Sequence, residues 1–169
     1  MTQHNKERSR MAVFATAKEA RENDMADWKA LSDEREIARG LALFARILDS
    51  KHWDRLGEVF SEDLTFDYGN GVRQQGMAAL DQQMRRYLDT CGPTQHLIGS
   101  ILIDVTGDSA VSRAYVQARH QRRDEPLGPI LDATGEYVDI WTRYPQGWRI
   151  SHRNAEWFLH HGDPEVIGM

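Results

Sequence analysis

Four side chains in this sequence carry groups suited to moving protons. Asp49 stands in Ile47-Leu48-Asp49-Ser50-Lys51-His52-Trp53, His96 in Thr94-Gln95-His96-Leu97-Ile98-Gly99-Ser100, His120 before Gln121-Arg122-Arg123, and Tyr68 after Phe66-Asp67. A histidine, with a reference pKa near ~6.5, can take a proton and return it within one catalytic cycle. A buried histidine must satisfy two ring nitrogens, and Asp49 could accept from one of them. Asp49 is also anomalous where it stands. It ends an apolar helical stripe, and the partial negative charge of a helix C-terminus disfavours a carboxylate by up to ~1 kcal/mol. Each residue also has a plainer reading: a solvated helix end, a hydrogen-bonded core histidine, a surface histidine and a rim tyrosine. Asp49, His96 and His120 would equally suit a two-histidine, one-carboxylate metal set.

The elements that must position these groups are legible in outline. Ser32-Asp33-Glu34-Arg35-Glu36 predicts a helix start, with Ser or Asp as cap and Glu36 three residues after Asp33. Ile37, Leu41, Phe44 and Leu48 follow on one face, and Ala38, Ala42 and Ala45 run beside them in a line that Asp49 continues. Residues 1–31 read as a polar extension whose one amphipathic piece, marked by Met11, Phe14 and Ala17 or Lys18, is interrupted at Asn23-Asp24. That extension is expected to pack on the domain or on a neighbouring subunit. A short second helix spans Trp53 to Phe60, and Leu64 to Tyr68 alternates as a strand before Gly69-Asn70-Gly71, a tight-hairpin signal. A third helix runs from Met77 to Leu88. Period two then takes over at about 94–105, 109–122, 134–144 and 147–158, with short turns between, which predicts an antiparallel sheet.

Three N-terminal helices on one face of a long, mainly antiparallel sheet make an α+β domain over 32–160, with 161–169 as a tail. His160-His161 reads as part of that tail. A curved sheet over helices leaves a pocket, and the face shared by Ala110, Ser112, Ala114, Val116, Ala118 and His120 has the small side chains that give a ligand room. Phe44, Phe66 and Trp157 are candidate apolar walls. Arg153, alternating with Ser151, is either a pocket cation or an exposed ladder charge.

The bulk numbers narrow the class. A chain of 169 residues fits one domain. Its net charge of −5 argues against a nucleic-acid partner. One cysteine, Cys91, allows neither an intrachain disulfide nor a Cys-based zinc site. No apolar run approaches the ~20 residues of a membrane span, and the polar start lacks a signal-peptide core, so no membrane partner and a cytoplasmic location are the expectation.

Leu48-Asp49-Ser50-Lys51-His52-Trp53-Asp54-Arg55-Leu56, the Asp67-Tyr68 pair, Thr94-Gln95-His96-Leu97-Ile98-Gly99 and His120-Gln121-Arg122 resemble, in order and approximate spacing, segments of the scytalone dehydratases. The wider group is the SnoaL-like, ketosteroid-isomerase-like superfamily, and the resemblance covers about residues 34–158. It implies a cone-shaped α+β barrel enclosing a site without metal or cofactor, and a homo-oligomer, as a trimer. His96 would be the central acid/base, Asp49 its orienting carboxylate, His120 a second histidine, and Tyr68 a phenol that polarises the substrate carbonyl through water. The chain departs from that family at Leu48, where a second tyrosine is expected, and at Gly135 and Tyr137, where Ser and Asn would hold substrate. Asp49 and His96 also match the pair of the hexachlorocyclohexane dehydrochlorinases, and Arg153 resembles a pocket arginine there. The expectation is a cofactor-independent lyase that removes water, or halide, from a small cyclic, aromatic or polyketide-like hydroxy-ketone. An enolate-type isomerase would use the same groups without a leaving hydroxyl. A non-catalytic ligand-binding member of the fold is the reading from another class.

Overall fold

The computed structural model describes the backbone of residues 3–168 and, Asn23 aside, the side chains from Arg21 onward. Helix α1 (Gln3–Ser50) runs unbroken for 48 residues. It passes through positions 23 and 24, where an interruption was expected, and through Ser32, expected as a helix start. The reason lies in composition. Residues 1–39 contain neither Gly nor Pro, and an isolated Asn-Asp pair costs only about 1 kcal/mol of helix propensity. Asp33 and Glu36 are tertiary fasteners instead of caps. Asp33 accepts from Arg143 Nη1 and Nη2 at 2.9 and 2.6 Å, and Glu36 Oε1 accepts from the Trp148 backbone N–H at 2.9 Å. Arg21, Glu22 and residues 24–32 are exposed, whereas Ile37, Leu41, Phe44 and Leu48 are buried as their spacing predicts. The Met11, Phe14 and Ala17 face lies outside the described side chains.

The end of α1 fixes Asp49. Lys51 adopts φ +55, and the N–H groups of Lys51 and His52 return to the carbonyls of Leu48 and Ile47 at 3.2 and 3.1 Å. This paired return closes a helix with a left-handed residue, a place usually held by glycine. Lysine there costs roughly 1–2 kcal/mol. Its ammonium offsets that cost by donating to the carbonyls of Cys91 and Gly92 at 2.7 and 3.0 Å, which ties the helix end to the strand carrying His96.

After a 3-10 turn, Trp53–Glu58, come β1 (Phe60–Asp67), β2 (Gln74–Gln75), α2 (Met77–Leu88), β3 (Cys91–Thr106), β4 (Ser109–Arg122), β5 (Ile130–Tyr144) and β6 (Gly147–Gly162). The expected three N-terminal helices are therefore one long helix, a 3-10 turn, and α2 placed after the hairpin. The six strands form one sheet in the order β2-β1-β6-β5-β4-β3, with β1 parallel to β6 and every other neighbouring pair antiparallel. The strands outrun their expected ends because Gly92-Pro93 is absorbed into β3, and β6 continues to Gly162.

Nor are residues 161–168 a tail. Pro164–Ile167 form a second 3-10 turn that buries Val166 in the core, and Cys91 Sγ donates to the Val166 carbonyl at 3.3 Å. Cross-strand register decides which residues share the inner face of the sheet. It sets His96, Ala118, Ala133 and His160 on one row across β3 to β6, with Thr94, His120, Leu131 and Gly162 on the next.

Candidate active site

A cavity of about 570 Å³ lies between α1, α2 and the inner face of the sheet. Ala118 and Ala133 form its floor, and Leu48, Met84 and Trp157 are among its apolar walls. The small-residue face read from the sequence is buried along one side of β4, but only its Ala118 and His120 end lines the cavity; Ala110, Ala114 and Val116 are packed in the core, and Ser112 accepts from Trp141 Nε1 at 2.9 Å.

At one end of the cavity Asp49 meets His96. The ring Nδ1 of His96 lies 2.7 Å from Asp49 Oδ1, the His96 backbone N–H donates to the two carboxylate oxygens at 3.1 and 3.2 Å, and Thr94 Oγ1 donates to Oδ1 at 3.0 Å. Burial acts to raise the Asp49 carboxyl, but the ring and backbone bonds from His96, the His96 charge and the Thr94 bond outweigh it and hold the group below the usual carboxylate range. These donors also resolve the anomaly of a carboxylate at a helix C-terminus. A carboxylate only accepts, so Nδ1 of His96 carries a proton, and in the neutral form of the ring Nε2 is the nitrogen with the free lone pair. His96 lines the cavity.

His120 sits beside it, with ring centroids 5.5 Å apart and planes at 84°. Its Nδ1 is 3.1 Å from the Leu131 carbonyl, so that nitrogen donates and Nε2 is left as an acceptor. Burial first, and then the charge of His96, push the His120 pKa down to about 4, against smaller opposing effects of the Leu131 carbonyl, Asp49 and Asp132. At neutral pH His120 is uncharged, and it lines the cavity with Nε2 as its accepting nitrogen. Asp49, His96 and His120 are not arranged as a metal-ligand set, and no group of three or more His, Cys, Asp or Glu among the described residues is.

Tyr68 follows the last residue of β1, on the corner where Asp67 Oδ1 accepts from the N–H groups of Gly69, Asn70 and Gly71. Trp157 Nε1 donates to the Tyr68 carbonyl at 3.1 Å, which locks the corner against β6. A side chain at Gly69 (φ +87) would meet Trp157 Cδ1 at 2.8 Å, so this residue supplies both the conformation and the close approach. Tyr68 belongs to the lining, yet its hydroxyl is sealed from solvent and makes no close hydrogen bond.

Three sequence expectations need correcting. Arg153 is neither a pocket cation nor an exposed ladder charge. It is fully buried behind the cavity wall, bound to the equally buried Asp139 through Nε and Nη2, each at 2.7 Å. Phe44 and Phe66 are also fully buried behind the wall instead of forming it. Phe44 lies on the Arg153 guanidinium, 4.4 Å from ring centroid to Cζ, and Phe66 meets Tyr68 edge-on. Trp157 does line the cavity. His160, read as tail, is a lining residue too, as are Tyr137 and Asn154. Continuing the period-two pattern past Trp157 reaches Leu159 and His161, whereas a bulge between the pairs Thr134/Leu159 and Gly135/Trp157 shifts the phase by one residue and brings His160 to the cavity. Gly135 belongs to that bulge. A side chain there would run into the Glu156 carbonyl, so the bulge requires glycine at this position.

Residues 29–154 match the sequence pattern of the SnoaL-like domain family. The chain belongs to that family. This SnoaL-like chain is 28% identical over 131 residues to an uncharacterized protein of Mycobacterium tuberculosis, covering 73% of the chain and 84% of the relative. Among solved structures it is similar to a Kribbella flavida protein, with TM-score 0.75 and 23% identity over 83% of this chain and 99% of that one. A Novosphingobium aromaticivorans protein provisionally assigned as a scytalone dehydratase superposes with TM-score 0.71 and 23% identity over 78% of this chain and 88% of its own. The hexachlorocyclohexane dehydrochlorinase LinA type 2 superposes with TM-score 0.67 and 11% identity over 83% and 93%. At these identities the structures speak for the α+β fold, one they share with proteins of the nuclear transport factor 2-like superfamily. No described helix of the SnoaL-like chain is long and apolar enough to cross a membrane.

Proposed function

We propose that the protein is a cofactor-independent lyase of the dehydratase type. Its substrate is a small cyclic hydroxy-ketone, aromatic or polyketide-like in character. The observation that carries this reading is the 2.7 Å contact between Asp49 Oδ1 and His96 Nδ1 at a cavity wall, because it leaves the His96 Nε2 lone pair available as a base. Nε2 takes the proton from the carbon next to the carbonyl, and the electron pair moves into an enolate. Asp49 stabilises the imidazolium so formed, as the carboxylate of a catalytic triad does. The C–O bond to the hydroxyl then breaks, and the same Nε2–H returns its proton to the departing oxygen, so the products are water and a conjugated enone. A halide leaving group would need no such proton.

His120 fits this sequence as an acceptor. Its uncharged Nε2 takes a hydrogen bond from the substrate hydroxyl and turns a lone pair of that oxygen toward His96, a role that a group with a pKa of about 4 can fill at neutral pH and an acid role is not. A second cation 5.5 Å from the His96 ring would also oppose the imidazolium. The test is a turnover screen of cyclic β-hydroxy ketones and halogenated rings with wild-type protein and His96→Gln. Enone or halide release that disappears in the variant, with an unchanged thermal melt, supports the reading. Equal turnover by the two proteins overturns it, and isomerised product without water loss moves the assignment to an enolate-type isomerase.

A further inference from the structure

Resting on that reading, one requirement remains: the oxygen that becomes negative as His96 removes the proton needs a donor. Tyr68, the phenol singled out in the sequence, is badly placed for it because its hydroxyl is sealed within the protein. Tyr137 lies beside it, with ring centroids 6.3 Å apart and planes at 78°, and it too lines the cavity. Of these two phenols only Tyr68 has a sealed hydroxyl without a close hydrogen bond. Tyr137 is held from three further sides: its ring meets Phe44 and Trp157 edge-on at 6.0 and 6.1 Å, and the Arg153 guanidinium carbon sits 4.1 Å from its centroid.

The guanidinium supplies the second observation. Arg153 is wholly buried and spends Nε and Nη2 on Asp139, while Nη1 makes no close hydrogen bond and the guanidinium acts on the neighbouring Tyr68 hydroxyl through its charge and a weak hydrogen bond. A fixed cation under a phenol draws electron density from the ring and strengthens the O–H as a donor. Burial pushes both phenols above the usual tyrosine range, with Arg153 acting against it in each case, so both stay protonated at neutral pH and able to donate.

We infer that Tyr137 is the catalytic donor to the substrate oxyanion, and that Tyr68 and the Arg153–Asp139 pair are positioning residues that hold and polarise it. The ligand chemistry is that of an enolate or phenolate oxygen on a planar ring, seated on the alanine floor. Leu48 then needs no hydroxyl, because the phenol comes from β5 on the opposite wall.

The test uses the full chain and 4-nitrophenol as a stable oxyanion mimic, with nitrobenzene as its uncharged counterpart. Binding is titrated by visible absorbance across pH, and thermal melts establish that each variant folds. Wild-type protein should bind the phenolate more tightly than nitrobenzene and lower the pH at which the bound probe ionises. Tyr137→Phe should weaken phenolate binding about 10- to 100-fold, the value of a hydrogen bond to a charged group, and leave nitrobenzene binding unchanged. Tyr68→Phe should change phenolate binding less than threefold. Arg153→Lys, which keeps the charge but not the flat cation under the ring, should return ionisation of the bound probe toward its free value. Equal phenolate binding by Tyr137→Phe and wild type, or a wild type that does not prefer the phenolate, overturns the inference. Turnover retained by His96→Gln would instead overturn the lyase reading and leave the phenolate result standing.

Discussion

Exchanging Asp49 for Asn keeps the shape of the side chain and removes its charge at the point where His96 must become a cation. Two unit charges ~4 Å apart in a site of effective dielectric ~20 interact by about 4 kcal/mol. Loss of that attraction from the transition state slows the reaction roughly 1,000-fold. A second effect adds to the first. Asp49 accepts from Thr94 Oγ1, the His96 backbone N–H and His96 Nδ1 at 3.0, 3.1 and 2.7 Å, whereas an amide offers one accepting oxygen and turns an NH2 toward at least one of these donors. Where the ring nitrogen is the one displaced, the tautomer inverts, Nε2 carries the proton and the base is lost. The equivalent change in a Ser-His-Asp triad costs about 10,000-fold. The expected result is a fall in kcat between ~1,000- and ~10,000-fold with KM little altered. The fold should survive, because removing a negative charge from a helix C-terminus returns up to ~1 kcal/mol. The assay is enone absorbance from 3-hydroxycyclohexanone and its fused-ring analogues, beside a thermal melt. A kcat within tenfold of wild type refutes the role given to the carboxylate.

Three further outcomes follow from the same geometry. His120, with a native pKa of about 4 against an unfolded value near 6.5, binds its proton more readily in the unfolded chain. Its contribution is therefore complete above pH ~6.5 and is lost as pH falls toward ~4, an effect of up to roughly 3 kcal/mol; His120→Gln should flatten urea-unfolding stability across that window, and an unchanged pH slope would count against the burial argument. Arg153→Met leaves Asp139 buried without its partner and should cost about 3–5 kcal/mol, read as a lower urea midpoint, whereas a loss under 1 kcal/mol would contradict the buried pair. Gly135→Ala drives a methyl into the Glu156 carbonyl and should cost about 1–3 kcal/mol; a melting temperature equal to wild type would show that the bulge has slack.

What the sequence disclosed followed periodicity. Met77–Leu88 is the helix its pattern predicts, and the small residues of β4 line one buried face because a period of two survives in a strand without bulges. Asp49 and His96 were legible as a pair because a helix-end carboxylate and a strand histidine each needed a partner. Where tertiary structure overrides local signals, the reading failed. Ser32 to Glu36 has every mark of a helix start, but its acids are used 110 or more residues away on Arg143 and Trp148. Arg153 looked like a pocket cation because nothing local shows that Asp139 neutralises it from the neighbouring strand. His160 was hidden by one extra residue in β6, and Tyr137 was visible only as a departure from a related family's pattern.

The central claim is that His96 removes a proton from carbon. It can be isolated from leaving-group departure by giving the protein cyclohexanone, which has no hydroxyl to lose, in deuterium oxide and following α-proton exchange by NMR. Wild-type protein should accelerate deuterium uptake next to the carbonyl above the buffer rate, and His96→Gln should return it to that rate. Exchange by His96→Gln as fast as by the wild type would contradict the account.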